Sequence, residues 1–199
     1  MNHLLVLASK SPRRQQLLQQ LGYQFVCKNA DVDESILLNE RAENYVQRVA
    51  TAKAQAINAL LSKSIHQQVV LAADTSVVID GEILGKPRDF DDCHRMLTLL
   101  SNSQHQVLTA ISVVRKKKLR EQLIRTDVTF KTLSDQEIIH YWQSGEPQDK
   151  AGSYGIQGIA GQFVKNIQGS YSAVVGLPLY ETATLLAEFG VKTSLNDSQ

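Results

Sequence analysis

Three charged side chains stand where the surrounding pattern calls for apolar ones, and the chemistry they suggest is that of phosphate. Asp74 sits in the middle of the run VVLAADTSVVI. A carboxylate inside such a strand is costly unless it is paired, hydrogen-bonded or bound to a metal. A catalytic or metal-binding role is favoured over a structural salt bridge. Lys53 falls on the stripe 42, 46, 49, 53, 56, 60 of a helical pattern. It either snorkels past the edge of the core or aims an ammonium into a cleft. Lys86, in LGKPRD, follows a hairpin signal. By itself it is a turn lysine, but the hairpin folds it back towards the strand carrying Asp74.

Two further cations open a helix. Ser11 and Pro12 are an N-cap and a first-turn proline, and Arg13 and Arg14 come directly after them. The helix dipole disfavours cations there by roughly 0.3–1 kcal/mol each. A polyphosphate between them reverses the sign, because helix N-termini and arginine forks both take phosphate oxygens. The alternative is that both arginines point into solvent. Glu34, in DVDES, offers a second carboxylate for a divalent ion. Magnesium held by one or two carboxylates plus substrate phosphates needs no more than this.

Other chemistries find little support. The five histidines (3, 66, 94, 105 and 140) show no HExxH or clustered spacing, so a zinc site is not expected. Ser9, Ser11 and Ser153 have no evident His/Asp partner and lie in no GxSxG elbow. GEILGKP lacks the spacing and the Ser or Thr of a P-loop. Cys27 and Cys93 form no CxxC, which suits reduced thiols in a cytoplasmic protein. With a net charge of +1, RKKKLR reads as a solvated hairpin tip, and stable nucleic-acid binding is not expected. The apolar stretch 4–8 is too short for a leader or a membrane span, so no membrane association is expected. Glycines at 152, 155, 158 and 161 recur at every third position, unlike a dinucleotide fingerprint. They permit close approach to a flat ligand, and Gln157 among them offers the donor and acceptor that the imide edge of uracil or thymine requires.

The elements that must position these groups follow from periodicity and turn signals. Strands are expected at 3–8, 23–28 and through VVLAADTSVVI, with Asp80-Gly81 turning a short hairpin. A longer hairpin joins 105–115 to 119–130, and strands follow near 162–167 and 172–176. Helices are expected at 12–21, 40–61, 89–101, 134–144 and 178–189, with Ser134 and Glu137 as a capping box. At 199 residues and 43% apolar, the chain suits one α/β domain over 1–190 with a mixed sheet, then a polar tail at 191–199.

In order, ASKSPRR, the DES loop, AADT, GKPRD and DKAGSYGIQG strongly resemble the Maf family of nucleotide pyrophosphatases, over roughly residues 3–190. The resemblance implies a fold shared with inosine triphosphate pyrophosphatases: a mixed twisted sheet flanked by helices, with two lobes around a central cleft. It implies hydrolysis of a nucleoside triphosphate to monophosphate and pyrophosphate with a divalent metal, Mg2+ or Mn2+, and a homodimer. By motif, Arg13, Arg14, Lys53 and Lys86 would hold phosphates, with Ser9 also on the substrate side. Glu34 would help to place the metal, and Asp74 would be base or metal ligand. Arg13, Thr75 and Gln157 match positions tied to base selection, and GSYGIQG resembles the branch acting on dTTP and UTP. The rivals are an enzyme for 7-methyl-GTP or another modified purine triphosphate, and a non-hydrolytic nucleotide-binding regulator of septum formation.

Overall fold

The longest apolar runs of the sequence become the long strands at the centre of a sheet. A computed structural model describes residues 4–61 and 68–193. The strands are β1 (Leu5–Leu7), β2 (Phe25–Cys27), β3 (Val69–Ile79), β4 (Glu82–Leu84), β5 (Gln104–Arg115), β6 (Lys118–Phe130) and β7 (Val164–Gln168). The helices are α1 (Pro12–Gln20), α2 (Ala42–Leu61), α3 (Phe90–Leu100), α4 (Asp135–Gln143), α5 (Tyr171–Val175) and α6 (Leu179–Glu188). Three short 3-10 turns, Glu146–Asp149, Ala151–Ser153 and Ile159–Phe163, lie between α4 and β7.

The sheet has seven strands in the order β2-β1-β3-β5-β6-β7, with β4 added to β3. β1 is parallel to both β2 and β3, while β4 runs antiparallel to β3 and β7 to β6. The sheet is therefore mixed, as expected, and helices flank it. All but one residue of β3 are buried, which is why it reads as a nearly unbroken apolar run. Asp80 and Gly81 both have positive φ (49° and 81°), the conformation a two-residue hairpin turn requires. The capping box on α4 is present, with the Ser134 and Glu137 side chains and backbones bonded reciprocally.

The chain forms two compact units, and the long strands β3, β5 and β6 contribute to both. The first comprises Met1–Asp74, Thr109–Ile124 and Gly176–Gln199, and the second Thr75–Leu108 and Arg125–Val175. In the first, Val6, Ala8, Val70, Ala72 and Val114 pack against Ala54 and Ile57 of α2. In the second, α3 supplies Cys93, Met96, Leu97 and Leu100 to a core that also holds Phe130, Tyr141, Tyr154 and Phe163. Those aromatic rings meet edge-on, Phe130 with Tyr154 at 4.8 Å and Tyr141 with Phe163 at 5.2 Å between centroids.

Three expectations need correction. Residues 172–176 are not a strand: α5 forms because Ser170 caps it, its Oγ accepting the Ala173 N–H at 3.2 Å. The cap outweighs the strand preference of two adjacent valines. The strand expected near 162–167 begins later, at Val164, because Gly158 and Gly161 draw the preceding residues into a 3-10 turn. On α2 the buried stripe is Ala42, Val46, Val49, Ala50, Ala54 and Ile57. Leu60 is 72% exposed, so the stripe drifts away from 56 and 60 and leaves Lys53 at its edge. His3, His66 and residues 194–199 of the polar tail lie outside the described residues.

Candidate active site

The first unit places an anion-receptive helix start beside a buried carboxylate. In the parallel order β2-β1-β3 the chain goes from β1 out to β2 and returns past it to β3, which makes the carboxyl ends of β1 and β3 a topological switch point, where α/β sheets hold ligands. Backbone pairing of β1 with β3 ends at Ala8, whose N–H meets the Leu71 carbonyl at 2.8 Å. The chain then leaves the sheet through two stacked serines. The Ser9 Oγ accepts the Ser11 N–H at 3.1 Å, and the Ser11 Oγ accepts the Arg14 N–H at 3.4 Å. With Pro12 in the first turn, this sets α1 in place.

Arg14 does not point freely into solvent. Its Nε donates to the Gly176 carbonyl at 2.8 Å, and a terminal nitrogen reaches the Ser9 Oγ at 3.5 Å. Burial lowers its pKa, Arg13 adds to that effect, and the Asp74 and Glu34 charges oppose it. Arg13 is half-buried on the same turn.

Asp74 lies on β3 beyond the end of β1 and is 7% exposed. Lys53, near the centre of α2, meets it: Nζ is 2.9 Å from Asp74 Oδ1 and 3.0 Å from Glu34 Oε1. Burial raises the Asp74 pKa, and the Lys53 and Arg14 charges pull it down. Desolvating a carboxylate costs several kcal/mol, and an ion pair at 4 Å returns about 4 kcal/mol at an effective dielectric near 20. The two oppose each other, and burial wins. Five residues named from the sequence, Ser9, Arg14, Glu34, Lys53 and Asp74, thus share one network.

The donor set also fits a hard divalent ion. Two carboxylates converge on one point, now held by the Lys53 ammonium, and phosphate oxygens would complete such an ion's shell. Among the described residues no group of three or more His, Cys, Asp or Glu is placed to hold a metal ion, so these two carboxylates would need the phosphate oxygens.

A clamp that the sequence reading missed fixes the Glu34 loop to α2. Arg48 donates to both oxygens of Glu40, at 2.6 and 2.8 Å, and to the Ser35 carbonyl at 2.8 Å. Tyr45 OH donates to the Glu34 carbonyl at 3.0 Å. Arg48 holds the Glu40 carboxyl down at about 2. Burial, then the Asp74 and Glu34 charges, pushes the Tyr45 phenol up to about 12. The available signal was the pair Tyr45 and Arg48, three apart on the helix that carries Lys53.

The remaining named residues belong to the second unit. Thr75 follows Asp74 on β3 and is half-buried. Lys86 is exposed just past Leu84, which pairs with Val77, so the hairpin does run it back along β3. Gln157 is exposed on the glycine-rich turn. That turn is tied to Glu146, which the sequence did not single out: its carboxylate accepts the Ile159 N–H at 2.8 Å and the Tyr141 hydroxyl at 2.9 Å.

A parallel-stranded switch point with a clustered Arg, Lys and two carboxylates defines a phosphate-handling α/β protein, and comparison with known proteins gives the family. Residues 4–189 match the Maf-like protein family, and the chain belongs to it. It is similar to a dTTP/UTP pyrophosphatase of Colwellia psychrerythraea, 58% identical over 96% of this chain and 91% of the relative. Proteins of the same name from Vibrio vulnificus and Photobacterium profundum are each 56% identical. They align with 94% and 93% of this chain and with 99% and 96% of their own lengths. A solved dITP/XTP pyrophosphatase from Mycobacterium abscessus is 14% identical with a TM-score of 0.39, covering 63% of this chain and 72% of that one, too distant to bear on function.

Proposed function

We propose that this protein is a nucleoside triphosphate pyrophosphatase that hydrolyses dTTP and UTP to the monophosphate and pyrophosphate, drawing on a cytoplasmic nucleotide pool. The observation that carries the reading is the Lys53 ammonium bridging a buried Asp74 and Glu34 beside the Arg14 helix start. The names of relatives above 50% identity supply the reaction and the two bases.

The reaction is an in-line attack of water on the α-phosphorus. A bond forms from the water oxygen to phosphorus, the bond to the β-phosphate bridging oxygen breaks, and pyrophosphate leaves with its electron pair. Asp74 orients the water and takes its proton. Burial raises this carboxylate's basicity, which suits it to accept a proton. Arg13, Arg14 and Lys53, with Lys86 of the second unit, hold the phosphates and offset charge that grows on the leaving group. Ser9 keeps Arg14 oriented through its Oγ. A divalent ion, Mg2+ or Mn2+, held by Asp74 and Glu34 with phosphate oxygens, would supply further neutralisation when bound. Arg13, Thr75 and Gln157 select the base, with Gln157 matching the imide edge through one donor and one acceptor.

The test is pyrophosphate release from dTTP, UTP, CTP and 7-methyl-GTP, with Mg2+ and with chelator. Release from dTTP and UTP, abolished by chelator, is expected. Preference for 7-methyl-GTP would move the protein to the purine branch, and tight nucleotide binding without release would make it a sensor.

A further inference from the structure

We propose that Glu146 is a positioning residue for base selection, holding the turn that presents Gln157. The proposal rests on the assignment of Gln157 to the base and deepens it. Gly145, with φ 75°, ends the segment after α4 and turns the chain so that Glu146 faces back under the glycine-rich turn. Its carboxylate accepts three hydrogen bonds: Ile159 N–H to Oε2 at 2.8 Å, Ala160 N–H to Oε1 at 3.4 Å, and Tyr141 OH to Oε1 at 2.9 Å. The Tyr141 oxygen in turn accepts the Gly155 N–H at 3.3 Å.

Gln157 therefore sits between two anchored backbone positions, Gly155 before it and Ile159 after it. One carboxylate, directly or through Tyr141, holds both. The glycine at 158 is part of the device. A Cβ there would collide with the Glu146 carboxylate, so a side chain at 158 must push that carboxylate out. Gln157 itself remains exposed, as a residue meant for a ligand does.

The choice of a carboxylate follows from the partners. All three direct partners are donors, and only an ionised carboxyl offers two oxygens that accept and none that donates. Glu146→Gln keeps the size but gives one of the two positions to an amide, which opposes the Ile159 N–H or the Tyr141 hydroxyl. The turn loosens, and the base loses alignment while the phosphate groups of the first unit keep theirs. Displacements well below the size of the base reduce discrimination markedly.

The experiment compares kcat and KM for dTTP and CTP in Glu146→Gln, Gly158→Ala, Tyr141→Phe, Gln157→Ala and the Glu146→Gln/Gln157→Ala double variant. CTP presents an amine where dTTP presents a carbonyl oxygen. Expected is a loss of dTTP-over-CTP discrimination of about tenfold in Glu146→Gln, expressed mainly in KM, with Gly158→Ala changing in the same direction. The double variant should lose no more than Gln157→Ala alone, because the two residues act as one unit. Equal losses for both substrates in Glu146→Gln, with Gln157→Ala altering the ranking, would overturn this inference and leave the base reading intact. An unchanged ranking in Gln157→Ala would overturn both. Should Glu146→Gln not fold, Tyr141→Phe reads the same contact from the other side.

Discussion

Lys53 and Asp74, 21 residues apart, meet as opposite charges at 2.9 Å, with Glu34 on the far side of the same ammonium. Glu146 instead gathers backbone N–H groups 13 and 14 residues ahead, with Tyr141 completing the set. The first arrangement is made of full charges held in a desolvated place, where attraction and burial oppose each other. The second is made of directional bonds with every partner of the right sense. A charge cluster of the first kind can exchange its ammonium for another cation and can hand a proton on and off. A hydrogen-bonded turn of the second kind can only keep a side chain in place. On the proposed reading the first arrangement serves the chemistry and the second the positioning of Gln157, and the contrast can be broken by experiment.

The largest effect is expected from Asp74→Asn, which should lower turnover of dTTP by at least about two orders of magnitude. Stability should move the other way. Burial raises the folded pKa of Asp74, so its contribution to folding is present below the unfolded pKa and is lost as pH rises through the folded one. The ionised, buried carboxyl works against the fold, and the amide should leave the unfolding midpoint unchanged or higher. Pyrophosphate release and thermal unfolding on the same sample check both. An inactive variant that also melts much earlier would mean that Asp74 is structural, and the contrast between regions would fail.

Next comes Lys53→Met. Losing a phosphate contact should raise KM for dTTP by about tenfold or more. Mn2+ binding to the nucleotide-free protein, followed by its electron paramagnetic resonance signal, should tighten, because the ammonium no longer competes for Glu34 and Asp74. The acid limb of the rate profile should move to higher pH, since the Lys53 charge that lowers the Asp74 pKa is gone. Weaker Mn2+ binding would show that the lysine orders the carboxylates rather than standing in for a cation.

The two regions also differ in how far the sequence discloses them. Asp74, Lys53 and Arg14 were visible because each breaks a local rule: a charge in a strand, on a stripe or at the wrong helix end; Glu34 breaks none and stood out only as a second carboxylate in an acidic loop. The strand that carries Asp74 and the helix that carries Lys53 were visible for the complementary reason, as a nearly unbroken apolar run and a period-3.6 stripe. Glu146 breaks no rule, being an ordinary acid after a helix, and its partners are backbone groups that sequence pattern does not mark. Tyr45, Arg48 and Glu40 were hidden likewise, because a helix surface and the loop before it carry such residues routinely. The misassigned 172–176 segment failed on a nearer balance: a serine cap at 170 against two valines, with the local hydrogen bond prevailing.

The smallest effect on turnover, and the sharpest use of the contrast, comes from His105. This side chain is 2% exposed, its Nε2 lies 2.8 Å from Tyr154 OH, and its Nδ1 has no hydrogen-bond partner among the described residues. Burial lowers its pKa from 6.5 to about 4. A histidine depressed in this way contributes stability that is fully present above its unfolded pKa. That stability is lost as pH falls through the folded one, a window from about 6.5 down to about 4. The linked loss amounts to about 3 kcal/mol. His105→Gln keeps a hydrogen-bonding group for Tyr154 and removes the titration. Its unfolding midpoint should therefore fall less steeply than that of the wild type across this window, with dTTP turnover at neutral pH unchanged. Parallel slopes would remove His105 from the account of acid stability. If the slopes diverge as expected, pH acts on the two regions through different observables: on the charge cluster through rate, and on the hydrogen-bonded unit, where Tyr154 directly precedes Gly155, through the fold alone.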